Sequence, residues 1–202
     1  MKIALIGASG NAGSQILAEL SRRGHQVTAI ARHPEKIANL AGVTPVKGDV
    51  YDSANLAKLL QGHDAAASAV YFTASDPQLL IDAVRKAGVK RYMVVGGAGS
   101  LEVAPGKRLL DQPDFPEAYR AEATGGARFL ELLHSVTDLD WTFLSPSAMF
   151  THGERTGTFR LGDNQLLTND NGSSISFEDY AIAFVDELET PRHVRKRFTV
   201  GY

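Results

Sequence analysis

A short apolar run from Lys2 to Ile6 leads directly into Gly7-Ala8-Ser9-Gly10-Asn11-Ala12-Gly13, and a stretch with Ile16, Leu17 and Leu20 on one helical face follows at once. Few folds accommodate that junction. Glycines spaced three apart let backbone approach backbone where no side chain fits, and a buried strand that turns this tightly into a helix belongs to a parallel α/β unit. Free N–H groups in such a loop, together with the positive end of the helix, favour a bound anion such as the pyrophosphate of a dinucleotide. A glycine string alone is weak evidence; the strand before it and the helix after it give it weight.

The same alternation continues along the chain. His25 to Ile30, Val43 to Val46, Asp64 to Val70 and Arg91 to Val95 read as strands, and Phe198 to Val200 as a last one. Between them the pattern predicts helices over Pro34 to Leu40, from a Ser53 cap to Leu60, and from Asp76-Pro77 to Gly88 with Leu80, Ile81 and Val84 inward. Leu101 to Phe115 lacks periodicity and reads as a mobile flap. A longer helix spans Glu117 to His134, where Gly125-Gly126 is tolerable only if something packs closely against it. Ser176-Phe177-Glu178-Asp179 reads as a capping box for a final helix that buries Phe177, Tyr180, Ala181, Phe184, Val185 and Leu188.

Strands alternating with helices imply an α/β, Rossmann-type doubly wound sheet, mostly parallel, with helices on both faces and a small C-terminal extension on the substrate side. Residues 1–202 are expected to form one domain. Ligands of such sheets lie outside the carboxyl ends of the strands, so the loops after Ile6, Ile30, Val46, Val70, Val95 and Leu144 should line one cleft. The 21 basic and 23 acidic residues leave a net charge of −2, which argues against nucleic acid or an anionic membrane as partner and for a small molecule. With no cysteine there is neither a disulfide nor a thiolate, and the apolar run after Met1-Lys2 stops at Gly7, so a cytoplasmic monomer or homodimer is expected. His134, His152 and His193 show no metal-ligand spacing, and no metal is predicted. Arg192 to Arg197 reads as a solvated basic connection.

The end of the second strand faces the adenosine ribose in such folds, and an acidic side chain there would accept from the 2′-hydroxyl. Arg32 stands there instead, with His33 and Lys36 nearby. A guanidinium pairs with a 2′-phosphate and lies flat against adenine, so NADPH is expected over NADH. Gly48-Asp49-Val50-Tyr51-Asp52, Ser145-Pro146-Ser147 and Ile175 to Ala181 add further landmarks. Together with the glycine loop and Ala31 to Lys36, they resemble the NmrA-like and biliverdin-IXβ/flavin reductase-like group of atypical short-chain dehydrogenase/reductase proteins. The resemblance implies cofactor contacts at Gly7 through Gly13, that is Gly7, Ala8, Ser9, Gly10, Asn11, Ala12 and Gly13, and at Arg32, Asp49, Val50, Ser68, Ala69, Val70, Gly96, Gly97 and Pro146.

Ordinary members of the wider superfamily place a lysine four residues after a tyrosine. Here Tyr119 is followed at that spacing by Ala123, and Arg120 points about 100° away along a helix. Ketone reduction needs a positioned acid, whereas a flavin or quinone delocalises the incoming electrons and takes protons from water. The expected activity is therefore hydride transfer from NADPH to a flavin, a quinone or a similar conjugated acceptor, with Ser100, Tyr119 and Ser147 as catalytic candidates and His152 as a further contact. The alternative is a nucleotide-binding redox sensor without turnover, which the missing lysine fits equally well.

Overall fold

A computed structural model describes all 202 residues. In chain order the first half comprises β1 (Lys2–Ile6), α1 (Asn11–Arg22), β2 (Gln26–Ala31), β3 (Val43–Lys47), α2 (Ser53–Leu60), β4 (Ala65–Ser68), α3 (Pro77–Ala87) and β5 (Arg91–Val95). The second half adds β6 (Glu102–Ala104), β7 (Lys107–Arg108), α4 (Glu117–His134), β8 (Asp140–Pro146), β9 (Met149–Thr151), β10 (Arg160–Gly162), β11 (Ser174–Ser176), α5 (Phe177–Glu189) and β12 (Lys196–Gly201).

Eight strands form one sheet in the order β10-β12-β8-β5-β4-β1-β2-β3, parallel throughout except for the edge strand β10. The central strands are apolar on both faces because both faces are covered. Ile3 and Leu5 of β1 join Ile16, Leu17, Leu20 and Phe184 in a core under α1 and α5, while Ala4 and Ile6 join Leu56, Leu80 and Phe129 under α2, α3 and α4. Chain order runs outward from β1 to β2 and β3 on one side, and from β4 to β5 and β8 on the other. The direction reverses between β1 and β4, so the crevice at their carboxyl ends is where a ligand of this sheet is held.

Several local expectations give way. Only Pro34–Lys36 turns, as a single 3-10 turn, and Ile37 then adopts extended backbone and drops into the α1/α5 core, which a continued helix could not deliver. Asp52, not Ser53, caps α2: its carboxylate accepts from Asn55 N–H at 3.0 Å, and Ser53 lies inside the helix with its buried hydroxyl unpartnered. Residues 101–115 are not an unanchored flap. They hold the β6/β7 hairpin and a 3-10 turn, Leu101 and Leu110 are buried, and the Glu102 N–H donates to the Asn164 carbonyl at 2.9 Å.

Half of the capping box forms. Ser176 Oγ accepts from Asp179 N–H at 3.0 Å, but the Asp179 carboxylate takes bonds from Thr156, Gly157 N–H and Tyr202 instead of returning to the cap. The basic connection is tied down too. Arg197 donates to Asn164 Oδ1 at 2.9 Å, His193 pairs with Glu187 at 2.8 Å, and its ring stacks on Phe198 at 4.1 Å. No helix is long and apolar enough to cross a membrane.

Candidate nucleotide cleft

The three glycines of the β1–α1 loop lack side chains for different reasons. A Cβ on Gly7, whose φ is +82°, would stand 2.3 Å from the Ala69 carbonyl oxygen, and one on Gly13 would stand 2.1 Å from the Gly7 oxygen. Both positions are closed by the protein's own backbone. A Cβ on Gly10 would come no nearer than 3.4 Å to any atom, an ordinary contact. Nothing in the protein requires glycine there, and the space left open suits the approach of a pyrophosphate to the middle of such a loop. Gly10 is also the N-cap of α1, with no side-chain cap and no acidic residue in the first turn. The N–H groups of Asn11, Ala12 and Gly13 have no protein acceptor, which leaves an uncompensated positive end facing the crevice. The residues present fit a dinucleotide.

The neighbouring loops frame the same crevice. Gly7 and Ala8 donate to the Ile30 carbonyl at 2.9 and 3.3 Å, which sets the glycine loop against the end of β2. Arg32 follows β2, exposed and without an ion pair in the protein. His33 next to it faces Glu35 at 3.1 Å and is therefore partly compensated, a feature the sequence reading did not foresee. After β3, Asp49 folds onto its own loop by accepting from Tyr51 N–H at 2.9 Å, while Val50 packs on the α2/α3/α4 core. After β4, Ala69 N–H donates to the Ile6 carbonyl at 2.8 Å, and Val70 lies against Gly7. Ser68 is a correction: it is buried within β4, paired with β1 and β5 on either side, and its hydroxyl lies 2.9 Å from the Tyr92 hydroxyl, so it offers a ligand no free group. Burial pushes the Tyr92 phenol up and keeps it neutral.

Gly96 closes the end of β5 on Phe143 and the Leu144 carbonyl, to which its N–H donates at 2.8 Å. The Tyr180 hydroxyl donates to the same carbonyl at 2.7 Å, tying α5 to the last parallel strands. Gly97 stands beside the Phe72 ring, and Pro146 ends β8, buried like the rest of that strand after its first residue.

The three hydroxyl candidates separate. Ser147 is a correction: it is fully buried, and its Oγ donates to the Val200 carbonyl at 3.1 Å in a bond that ties the chain after β8 to β12. Ser100 Oγ accepts from Arg197 Nη1 at 3.3 Å. Tyr119 presents a hydroxyl with no partner in the protein, in a residue 67% exposed. Arg120 is committed elsewhere, to Glu117 at 2.7 Å and to the Leu110 carbonyl at 3.0 Å. Ala123 faces Gly99 so closely that a Cβ on Gly99 would stand 2.7 Å from its methyl. His152 is exposed, 3.3 Å from Glu178 and edge-on to Phe177.

Glu122 escaped the sequence reading. Its carboxylate reaches across to the turn after β4, a long-range contact that no local pattern announces. A polar depression lined by Lys2, Thr28, Thr44 and His63 lies at the amino ends of β1 to β3, at the opposite edge of the sheet from the crevice.

Comparison with known proteins agrees with this geometry. The model of the NAD(P)H-binding family matches residues 7–191. The uncharacterised protein YwnB of Bacillus subtilis is 41% identical over 99% of this chain and 98% of its own length. A solved structure from Burkholderia pseudomallei, provisionally named an exported protein, is 49% identical with a TM-score of 0.90, and the two cover 100% of each other. A Streptococcus pneumoniae structure, provisionally named an NADH-flavin reductase, is 39% identical with a TM-score of 0.84, covering 100% of this chain and 99% of that one.

Proposed function

From the chain's membership of the NAD(P)H-binding family, we propose that it is an NADPH-dependent reductase that passes hydride to a flavin, a quinone or a similar conjugated small molecule. The observation that carries this reading is the state of the proton-donating groups. Ser147 is bonded inside the fold, Arg120 is held by Glu117 and backbone carbonyls, and Ala123 stands where a lysine would serve Tyr119. An acceptor that spreads the incoming charge over a ring system needs none of them.

In this reading the bound nicotinamide supplies the hydride. The N–H groups at the start of α1 hold the pyrophosphate, Arg32 pairs with the 2′-phosphate, and the loops after β4, β5 and β8 shape the reactive end. The name of the Streptococcus pneumoniae relative specifies NADH. Arg32, in place of an acid at the end of β2, is the reason NADPH is preferred here. A cytoplasmic site of action belongs to the same reading.

The test is NADPH oxidation by the purified protein against FMN, riboflavin and small quinones, with Arg32→Ala alongside. Turnover is expected, with KM for NADPH raised about tenfold in Arg32→Ala and KM for NADH raised much less, since only the 2′-phosphate contact is charge-assisted while the adenine contact is shared by both nucleotides. Equal wild-type affinity for both nucleotides would overturn the NADPH preference. Tight nucleotide binding without turnover on any acceptor would identify a redox sensor instead.

A further inference from the structure

The turn that follows β4 is held by an acidic side chain from another element. Glu122 of α4 accepts from Phe72 N–H through Oε1 at 2.7 Å, and from the Thr73 N–H and hydroxyl through Oε2 at 3.0 and 2.8 Å. One turn further along α4, Gly125 and Gly126 leave a recess. Cβ atoms there would stand 2.8 Å from Phe72 Cβ and 2.7 Å from its ring. Phe72 fills the recess, stacked with Phe143 of β8 at 6.2 Å and edge-on to Phe129 at 6.1 Å. Clamp and recess hold from outside a turn whose own bonds run from Ala74 N–H and Ser75 Oγ to the Tyr71 carbonyl at 3.1 and 2.8 Å.

The residue just before the clamped turn is Tyr71, and its ring is 67% exposed. Tyr119, also 67% exposed, lies three residues before Glu122 on α4. That spacing puts both on one helix face, with Cβ atoms about 5 to 6 Å apart. The clamp seats the turn that follows Tyr71 against the helix that carries Tyr119, at the carboxyl end of β4 beside the point where strand order reverses. Neither ring contributes to a core. Two aromatic faces held in water beside a nucleotide crevice bury their area only when a ligand covers them.

We propose that Tyr71 is a specificity-determining residue whose ring stacks on the conjugated acceptor, and that Glu122 is the positioning residue that holds it there. The inference rests on the reductase reading of this site. It adds to that reading that the acceptor is recognised by its planar face, which an exposed phenol ring can cover whatever oxygens the acceptor carries.

Two readouts on NADP-loaded protein test it: quenching of FMN fluorescence on binding, which needs no turnover, and steady-state KM for FMN and for NADPH. Tyr71→Ala is expected to weaken FMN binding and raise its KM about five- to tenfold, with KM for NADPH unchanged, while Tyr71→Phe stays near wild type because the ring, not the hydroxyl, is used. Glu122→Gln keeps one acceptor oxygen but turns an amide toward an N–H, so it should reproduce the Tyr71→Ala effect on FMN. The double variant should then be no worse than either single one.

A purely structural Glu122 would lower the unfolding temperature without separating the two KM values. Unchanged FMN binding and KM in Tyr71→Ala, with wild-type turnover intact, would overturn this proposal and leave the reductase reading standing. FMN binding that depends on Tyr71 without any turnover would keep the stacking site and overturn the reductase reading. A wild-type protein that binds and reduces none of FMN, riboflavin and the small quinones would overturn both.

Discussion

Replacing each loop glycine in turn with alanine separates what the fold requires from what a ligand requires. In Gly13→Ala the new methyl would lie 2.1 Å from the Gly7 oxygen and 3.3 Å from Ala8 Cα, all backbone, so α1 must move away from β1. Overpacking of a rigid site costs about 1 to 3 kcal/mol, and with no flexible side chain to yield, the upper end of about 3 kcal/mol is expected. Gly7→Ala adds a left-handed φ of +82° to a 2.3 Å clash with the Ala69 oxygen, and should cost at least as much. Gly10 has φ −78° and ψ 172°, open to any residue, and its methyl would meet nothing closer than 3.4 Å. Gly10→Ala should lose only about 1 kcal/mol, the preference of a helix N-cap for glycine over alanine. Its cofactor affinity should nevertheless fall at least about tenfold, or about 1.4 kcal/mol, because the methyl stands between the loop and the pyrophosphate. Urea unfolding with and without NADP reads both effects. At a ligand concentration of about 100 wild-type Kd, NADP should stabilise the wild type by about 2.7 kcal/mol and Gly10→Ala by about half that. A Gly10→Ala protein that unfolds as early as Gly13→Ala, or that binds NADP as the wild type does, would refute the assignment.

Glu19 is 2% exposed and receives Arg23 at 2.8 Å and Arg155 through two bonds at 2.9 Å, with Arg22 beside it. Burial alone would raise its carboxyl pKa, but the bonds from Arg155 and Arg23 hold it at about 2, down from 4.5. The folded value lies below the unfolded one, so this stabilisation of roughly 3 kcal/mol is complete above about pH 5 and drains away as pH falls toward 2. Glu19→Gln should be less stable at neutral pH and converge with the wild type near pH 2; parallel urea midpoints across that range would refute it. Asp52→Ala should cost about 1 kcal/mol through loss of the α2 cap. Ser53→Ala should be neutral or mildly stabilising because its buried hydroxyl bonds to nothing, a contrast that thermal unfolding resolves.

The sheet was legible because each of its central strands is buried on both faces and each helix carries one apolar stripe, so period alone separates them. β1 is buried from Ile3 to Ile6, and on α5 the residues read as inward from sequence, Phe177, Tyr180, Ala181, Phe184, Val185 and Leu188, are all buried, although Asp179, Ile182, Ala183 and Glu187 are buried too and the helix is covered beyond one stripe. The glycine junction was legible for a related reason, since a tight strand–loop–helix turn leaves few ways to place three glycines. What escaped is non-local. The β9/β11 pair joins Phe150 to Ile175 across the chain, and residues 152–157 are fastened by Glu178, Asp179 and Glu19 from two helices. Ser147 looked like a cleft hydroxyl because its neighbours belong to the cleft; its burial depends on β12, which pairs with β8 from more than fifty residues away. Gly125 and Gly126 announced a close approach without naming the partner, and only the fold supplies Phe72.

The contact that removes the lysine also shapes the remaining chemistry. Ala123 can face Gly99 only while both are small, and that closeness brings α4 onto the loop after β5, within reach of the turn that Glu122 clamps. A lysine at 123 would have to push this helix away from Gly99 before its amine could approach Tyr119. In the proposed reading the site gives up a delivered proton and keeps a helix seated tightly against the loop after β5, with Gly125 and Gly126 receiving Phe72. Hydride transfer gains most from fixed distance and stacking when the acceptor can wait for its proton. A flavin or quinone has that property, and a simple ketone does not.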